Sequence, residues 1–231
     1  RLLISEEFPA GLPDPAETVQ LSGIRKAIAV NMKASLSETA QLSYFLEIDV
    51  TEAQSRRREF GCGLGDVIIK ATAETLKKVP LLNSVLSGDQ LLKFDQVNMA
   101  VAVALEDGLV VPVIADVGNK GLSEIGEAVK DLSERARSGS IRPDELVGGT
   151  FTISILGVVD GFTPILNQSQ VALLGVGRSV QKPVVKSGEV VIREMITLSL
   201  TGDHQVVDGA VAASFFRRLQ QAIERPGNLF E

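Results

Sequence analysis

The chain alternates between segments whose apolar residues recur every three to four positions and segments where they recur every second one. In LSGIRKAIAVNMKASLSE, Ile24, Ala27, Ile28 and Met32 fall at helical spacing, and Ser22 stands where an N-cap belongs. LSYFLEIDVTE mixes aromatic and β-branched residues with polar alternation and predicts a strand. GDVIIKATAETLKKVP predicts a helix capped by Asp66 and ended before Pro80. VNMAVAVAL and LVVPVIADV flank Glu106-Asp107-Gly108, the signal of a hairpin. LSEIGEAVKDLSERARSG is an amphipathic helix that stops near Gly139.

GTFTISIL, QVALLGVGR and MITLSLTG predict three strands, separated by GVVDGFTPILNQS and QKPVVKSGE. DGAVAASFFRRLQQAIERP closes the chain as a helix with Val211, Phe215, Leu219 and Ala222 along its apolar positions. Helices and strands are interspersed and hairpins occur among the strands. The prediction is one α/β domain with a mixed sheet flanked by helices. Residues 1–20 are rich in Pro, Glu and Ala and lack a period, so they read as an arm or linker before a domain spanning 21–231.

Composition narrows the function classes. Aromatic residues make up 4% of the 231, with no Trp, so the core is aliphatic. A net charge of −6 argues against nucleic acid as a partner, because phosphate binding needs a basic surface. The run Arg56-Arg57-Arg58 reads as a solvated helix face. Glu106-Asp107-Gly108 interrupts the longest apolar run, and no segment reaches the ~18 apolar residues of a membrane span. One Cys and one His exclude an internal disulfide and do not fit a dedicated transition-metal centre. Cys62, in GCGLGD, reads as an inert thiol in a flexible turn leading into a helix. The chain opens on Arg1 rather than Met, which reads as a piece of a longer protein.

The single histidine, His204, lies in SLTGDHQVVDGAVAASFF, four residues before Asp208 and Gly209. An unperturbed imidazole titrates near ~6.5 and a thiol near ~8.5, so a neutral imidazole can take a thiol proton and activate its sulfur. Taken alone, His204 is equally readable as a structural residue. Asp208 also has two readings, which can coexist. It caps the last helix, or it anchors the His204 loop by pairing with a distant Arg. Upstream, GGTFTISILG places Thr150, Thr152 and Ser154 on one strand face. Such a face is either merely polar and half-exposed or a source of a fixed hydroxyl donor for a tetrahedral oxyanion.

Together, GGTFTISILG, FTPILNQSQVALLGVGR and ITLSLTGDHQVVDGA resemble the catalytic domain of the dihydrolipoamide acyltransferases, the core components of 2-oxo acid dehydrogenase complexes. The resemblance extends through LSGIRKAIAVNM, VPLLNSVL, VNMAVAVALEDGLVVPVIADV and IRPDELVGGTF, from about residue 20 to the C-terminus. It implies a chloramphenicol-acetyltransferase-like fold assembled as homotrimers, with the active site in a channel between subunits. Coenzyme A enters at one end, and at the other a lipoyl group carried on an upstream domain that this chain lacks. The resemblance makes His204 the base for the incoming thiol and Ser154 the donor to the tetrahedral intermediate. It makes Asp208 the anchor of the histidine segment through Arg25 on the first helix. Further assembly into a cubic or dodecahedral core is implied, with Leu229 and Phe230 of GNLFE as an exposed apolar knob. The implied compartment is the cytoplasm in a bacterium and the mitochondrial matrix in a eukaryote.

Two positions depart from the family pattern: Ile155 follows the motif serine where Asn is common, and Gln205 follows the histidine where Arg is common. They leave room for a catalytically silent scaffold subunit, although His204, Asp208 and Ser154 are all retained. A free-standing acetyltransferase is the other alternative. SILG leans toward acetyl or branched-chain acyl groups rather than succinyl.

Overall fold

The computed structural model describes residues 13–106 and 108–230. The first twelve residues of the expected arm therefore lie outside the described residues, and 13–22 carry no helix or strand. Helix α1 (Gly23–Glu38) follows, with Ser22 extended at the N-cap but making no side-chain cap hydrogen bond. Of its apolar positions, Ile24 is 50% exposed, whereas Ile28 and Met32 are half-buried and Ile28 lies against Gly108. Ser35 is the buried residue of this helix, and its Oγ donates to the Leu166 carbonyl at 2.7 Å.

A seven-stranded sheet organises the rest. Strand β1 (Gln41–Asp49) pairs antiparallel with the long β11 (Glu189–Asp203). The sheet continues through β9 (Ala172–Val176), β8 (Phe151–Ile155), β4 (Met99–Val101) and β7 (Val113–Ile114). Strand β8 runs parallel to both β4 and β9, whereas β1, β9 and β10 pair antiparallel with β11, so the sheet is mixed as expected. Two hairpins stand apart from this sheet, β2 (Ser84–Ser87) with β3 (Gln90–Lys93) and the predicted one of β5 (Val103–Leu105) with β6 (Gly108–Val110).

Strand β10 (Val180–Lys186) falls where the sequence predicts a connection. It forms a hairpin with β11 through Ser187 and Gly188, both at positive φ, 54° and 87°. This is the backbone that a tight two-residue hairpin turn requires. Pro183 fits there because β10 pairs only with β11 and is an edge, where a missing N–H is tolerated.

One face of the sheet is aliphatic. Ile196, Leu198 and Leu200 of β11, Leu174 of β9 and Ile153 of β8 are all buried there. Against them pack α3 (Leu64–Lys78) and α5 (Gly209–Glu224), with the Phe151 and Phe215 ring centroids 6.2 Å apart. Helix α3 begins two residues before Asp66. Gly63 is the N-cap residue, and Asp66 reaches back to accept its amide at 2.8 Å. The Arg run ends α2 (Thr51–Glu59), and α4 (Leu122–Arg137) stops before Gly139 at φ 72°. Arg135 of α4 holds Glu145 with bonds of 2.6 and 2.7 Å, and this hydrogen-bonded guanidinium keeps the Glu145 carboxyl down at about 2.

The C-terminal residues differ from expectation. Leu229 and Phe230 are 7% and 8% exposed, so within the chain they form no exposed knob. Phe230 packs on Phe60 with centroids 4.9 Å apart, and the Arg56 guanidinium lies 4.9 Å from its ring centroid. The turn after α5 brings this apolar pair back onto the end of α2, where a phenylalanine and a cation offer better cover than water.

Candidate functional site

The second face of the sheet is polar, and the strand register shows how. Thr152, Leu173, Thr201 and Ser43 form one row across β8, β9, β11 and β1. Ser154, Gly175, Ser199 and Phe45 form the next. Residues paired across strands share a face, so Ser154 lies on the same side as Thr150 and Thr152. Their hydroxyls fare differently. Thr150 Oγ1 lies 2.6 Å from Asn83 Oδ1, and Thr152 Oγ1 lies 2.6 Å from Gln170 Oε1 and accepts from Asn167 Nδ2 at 2.7 Å. Both threonines are buried, whereas Ser154 is half-buried, with no hydrogen-bond partner among the described residues. Structural duty explains two of the three hydroxyls and leaves Ser154 over.

His204 stands one residue beyond the end of β11, with its side chain exposed. Its amide donates to the Ala40 carbonyl at 2.8 Å, just before β1. Gly202 lets the chain turn back here, because a Cβ on it would come within 2.9 Å of Val207. His204 and Ser154 do not meet in one chain. Ser154 is level with Ser199, five residues before His204 along β11 and two strands away. At ~3.3 Å per residue and ~4.8 Å per strand, they are about 19 Å apart, far beyond hydrogen-bond reach.

Asp208 caps α5 with extended backbone, and its Oδ1 accepts the Val211 amide at 2.9 Å. Arg25 lies exposed on the first turn of α1. Among the described residues no ion pair joins Arg25 to Asp208 within the chain. Asp208→Ala is expected to destabilise the fold by about 1 kcal/mol, and Asp208→Asn, which caps equally well, by much less. Thermal unfolding of the two variants checks this.

One residue of this region escaped the sequence reading. Asp203, directly before the histidine, is 1% exposed and accepts the Ala40 amide at 3.1 Å. It continues the alternation Ser199, Thr201, Asp203, which is the signal that could have placed it on the polar face. Gln205, the departure from the family pattern, donates from Nε2 to Asp203 Oδ2 at 3.0 Å. The other departure, Ile155, is 41% exposed on the opposite face from Ser154, with its Cδ1 beside Gly65. Burial and the nearby Asp66 carboxylate push the Cys62 thiol up, away from nucleophilic use.

No side-chain group capable of holding a metal ion occurs among the described residues. A cleft of about 920 Å³ lies between α3, the start of α4 and the C-terminal turn, and neither His204 nor Ser154 lines it. No described helix is long and apolar enough to cross a membrane. What the chain offers is an exposed imidazole and an unengaged hydroxyl at two ends of one polar sheet face. These are group types suited to proton transfer and oxyanion binding.

Comparison with known proteins adds the following. The family model described as the 2-oxoacid dehydrogenases acyltransferase catalytic domain matches residues 13–231. A mitochondrial dihydrolipoyllysine-residue succinyltransferase component of Arabidopsis thaliana is 36% identical, over 94% of this chain and 49% of its own length. A Bacillus subtilis acetyltransferase component of an acetoin cleaving system and a B. subtilis branched-chain component are both 34% identical, covering 57% and 54% of their lengths. The chain thus spans about half the length of these relatives. Among structures, dihydrolipoamide acetyltransferase of Azotobacter vinelandii superposes with a TM-score of 0.88 at 32% identity, over 97% of this chain and 100% of that one. In that protein a serine, a histidine and an asparagine four residues after it have been studied for their catalytic role. The cubic core of a pyruvate dehydrogenase multienzyme complex matches with the same score. A chloramphenicol acetyltransferase, 15% identical with a TM-score of 0.57, shares the fold.

Proposed function

The chain belongs to the 2-oxo acid dehydrogenase acyltransferase family as its catalytic domain, and from that premise we propose that it moves an acyl group between a dihydrolipoyl group and coenzyme A. The observation that carries this reading is the Ser154 hydroxyl, half-buried and without a partner among the described residues, together with the exposed imidazole of His204 just past β11; Ser199, beside Ser154 in the same row, is also unpartnered but is 1% exposed. The sulfur-bearing substrates fit this pair, because thiol-to-thioester exchange needs one base and one oxyanion donor.

His204 of one subunit takes the proton of the attacking thiol as its sulfur adds to the thioester carbonyl. The hydroxyl of Ser154, from the adjacent subunit, donates to the oxyanion that forms. Collapse expels the second sulfur as a thiolate, and the imidazolium returns the proton to it. The separation of about 19 Å within one chain supports a site shared between subunits, and we assign the assembly as a homotrimer within a larger core. The lipoyl group is assigned to a separate domain. Asp208 fixes the start of α5 beside the histidine turn, and Arg25 is assigned as its cation in the assembled state. Identities of 36% to a succinyl component and 34% to acetyl and branched-chain components do not single out one acyl group.

The test is acyl transfer from acetyl-, succinyl- and isobutyryl-coenzyme A to dihydrolipoamide. Turnover with at least one donor is expected. Silence with all three, from a fully assembled particle, would favour a scaffold subunit in which Ile155 and Gln205 mark the loss of activity.

A further inference from the structure

Asp203 closes β11 and pairs with Gln41, so its side chain lies on the polar face with Ser199 and Thr201. Its Oδ1 accepts from the amide of Ala40 at 3.1 Å, the amide of Gln205 at 3.1 Å and Gln205 Nε2 at 3.2 Å. Oδ2 accepts from the same Nε2 at 3.0 Å. The Asp203 carbonyl accepts the amides of Val206 and Val207 at 2.9 and 2.8 Å. Gln205 Nε2 also reaches the Glu38 carbonyl at 3.1 Å, at the end of α1. His204, between Asp203 and Gln205, is thus held to the 38–41 segment on both sides and through its own amide.

A buried carboxylate is unfavourable unless hydrogen bonds or a cation compensate it. No cation pairs with Asp203 among the described residues, and the family's common Arg at the next-but-one position is here the neutral Gln205. Hydrogen bonds to a charged acceptor are roughly twice as strong as neutral ones and strongly directional. Placed beside an exposed imidazole, such an arrangement favours a fixed turn over a flexible one.

We infer that Asp203, bridged by Gln205, is the positioning residue of His204: the buried carboxylate latches the histidine turn to the junction of α1 and β1. Asp208 serves the helix that follows. The inference rests on the acyl-transfer reading of His204, because positioning matters only if the imidazole does chemistry. Displacing a catalytic group by about 1 Å can lower turnover by roughly 10²-fold.

The test compares Asp203→Ala, Asp203→Asn and Gln205→Ala in the assembled full chain, using whichever acyl-coenzyme A the wild type turns over. Hydrogen exchange of peptides covering 36–46 and 199–210 is followed in parallel. Asp203→Ala is expected to lower kcat by about 10²-fold with KM changed by less than about threefold, the signature of a group acting on the transition state. Exchange at 204–207 should rise with it. Asp203→Asn keeps one acceptor oxygen for the Ala40 and Gln205 amides and should return kcat to within about tenfold of wild type. Gln205→Ala keeps those amide bonds and should fall between.

Wild-type kcat per assembled particle in Asp203→Ala, or unchanged exchange at 204–207, overturns the latch. If Asp203→Ala does not assemble, Gln205→Ala decides: unchanged kcat and exchange overturn it. A wild type with no turnover on any donor defeats the acyl-transfer reading instead, and hydrogen exchange then decides the latch alone.

Discussion

Replacing His204 with Ala is expected to lower kcat for acyl transfer by about 10²–10⁴-fold, the range that general-base assistance supplies. The loss should be at the upper end, because His204 is the only imidazole in the chain and no second one can substitute. Cys62 is half-buried in the turn before α3, and burial with the nearby Asp66 carboxylate pushes its thiol up. Stability should scarcely change, because the side chain is exposed and the hydrogen bond in this turn comes from the His204 amide, which the variant keeps. Steady-state kinetics beside sedimentation of the intact assembly separates the two effects. A variant retaining more than a tenth of wild-type turnover would remove His204 from the mechanism.

Ser154→Ala is expected to lower kcat by about 10²–10³-fold, and its most informative use is in combination. A site that takes its base from one subunit and its oxyanion donor from the next can be rebuilt from two dead variants. In randomly mixed trimers of His204→Ala and Ser154→Ala, about three-quarters contain both chains, and each of these has one complete site in three. Unfolding, mixing and refolding the two should therefore restore about a quarter of wild-type activity. Recovery no greater than the sum of the separate variants would mean that both groups act from one chain. The geometry about 19 Å apart on one sheet would then have to be bridged by a rearrangement of β11.

The sequence foreshadowed the fold where periodicity and side-chain face agree. The helices over Leu122–Arg137 and Gly209–Glu224 follow their apolar spacing and end where Gly139 and Pro226 demand. It misled where a local rule met a tertiary exception. QKPVVKSGE reads as a connection, yet most of it is the edge strand β10, which takes its pairing from β11 alone. Asp is a good N-cap residue, yet Asp66 stands at the third position of α3 and reaches back to accept the Gly63 amide from inside the first turn. Helix α1 carries its apolar period openly, but within this chain only part of that face is covered: Ile28 and Met32 are half-buried and Ile24 is exposed.

The site was legible as a set of residue types and not as an arrangement. Ser154 and His204 stand out by their motifs. That Thr150 and Thr152 are engaged and Ser154 is not depends on Asn83 and Gln170, partners 67 and 18 residues away. Asp203 looked like one more acidic residue, and only its burial reveals the hydrogen bonds it collects.

The packing of Phe230 on Phe60 and Arg56 sets a threshold for any other use of that ring. A tethered group faces its own docking surface at an effective concentration on the order of millimolar. A neighbouring molecule that wanted Phe230 would compete against that local excess, and would have to leave Phe60 covered by something else. An exchange between identical chains, each lending its end to the other, meets both conditions at once, since every ring given up is replaced by one received. Such an exchange adds little energy per contact and draws its direction from symmetry and from how many contacts close together. A particle built that way would come apart on dilution sooner than its individual chains unfold.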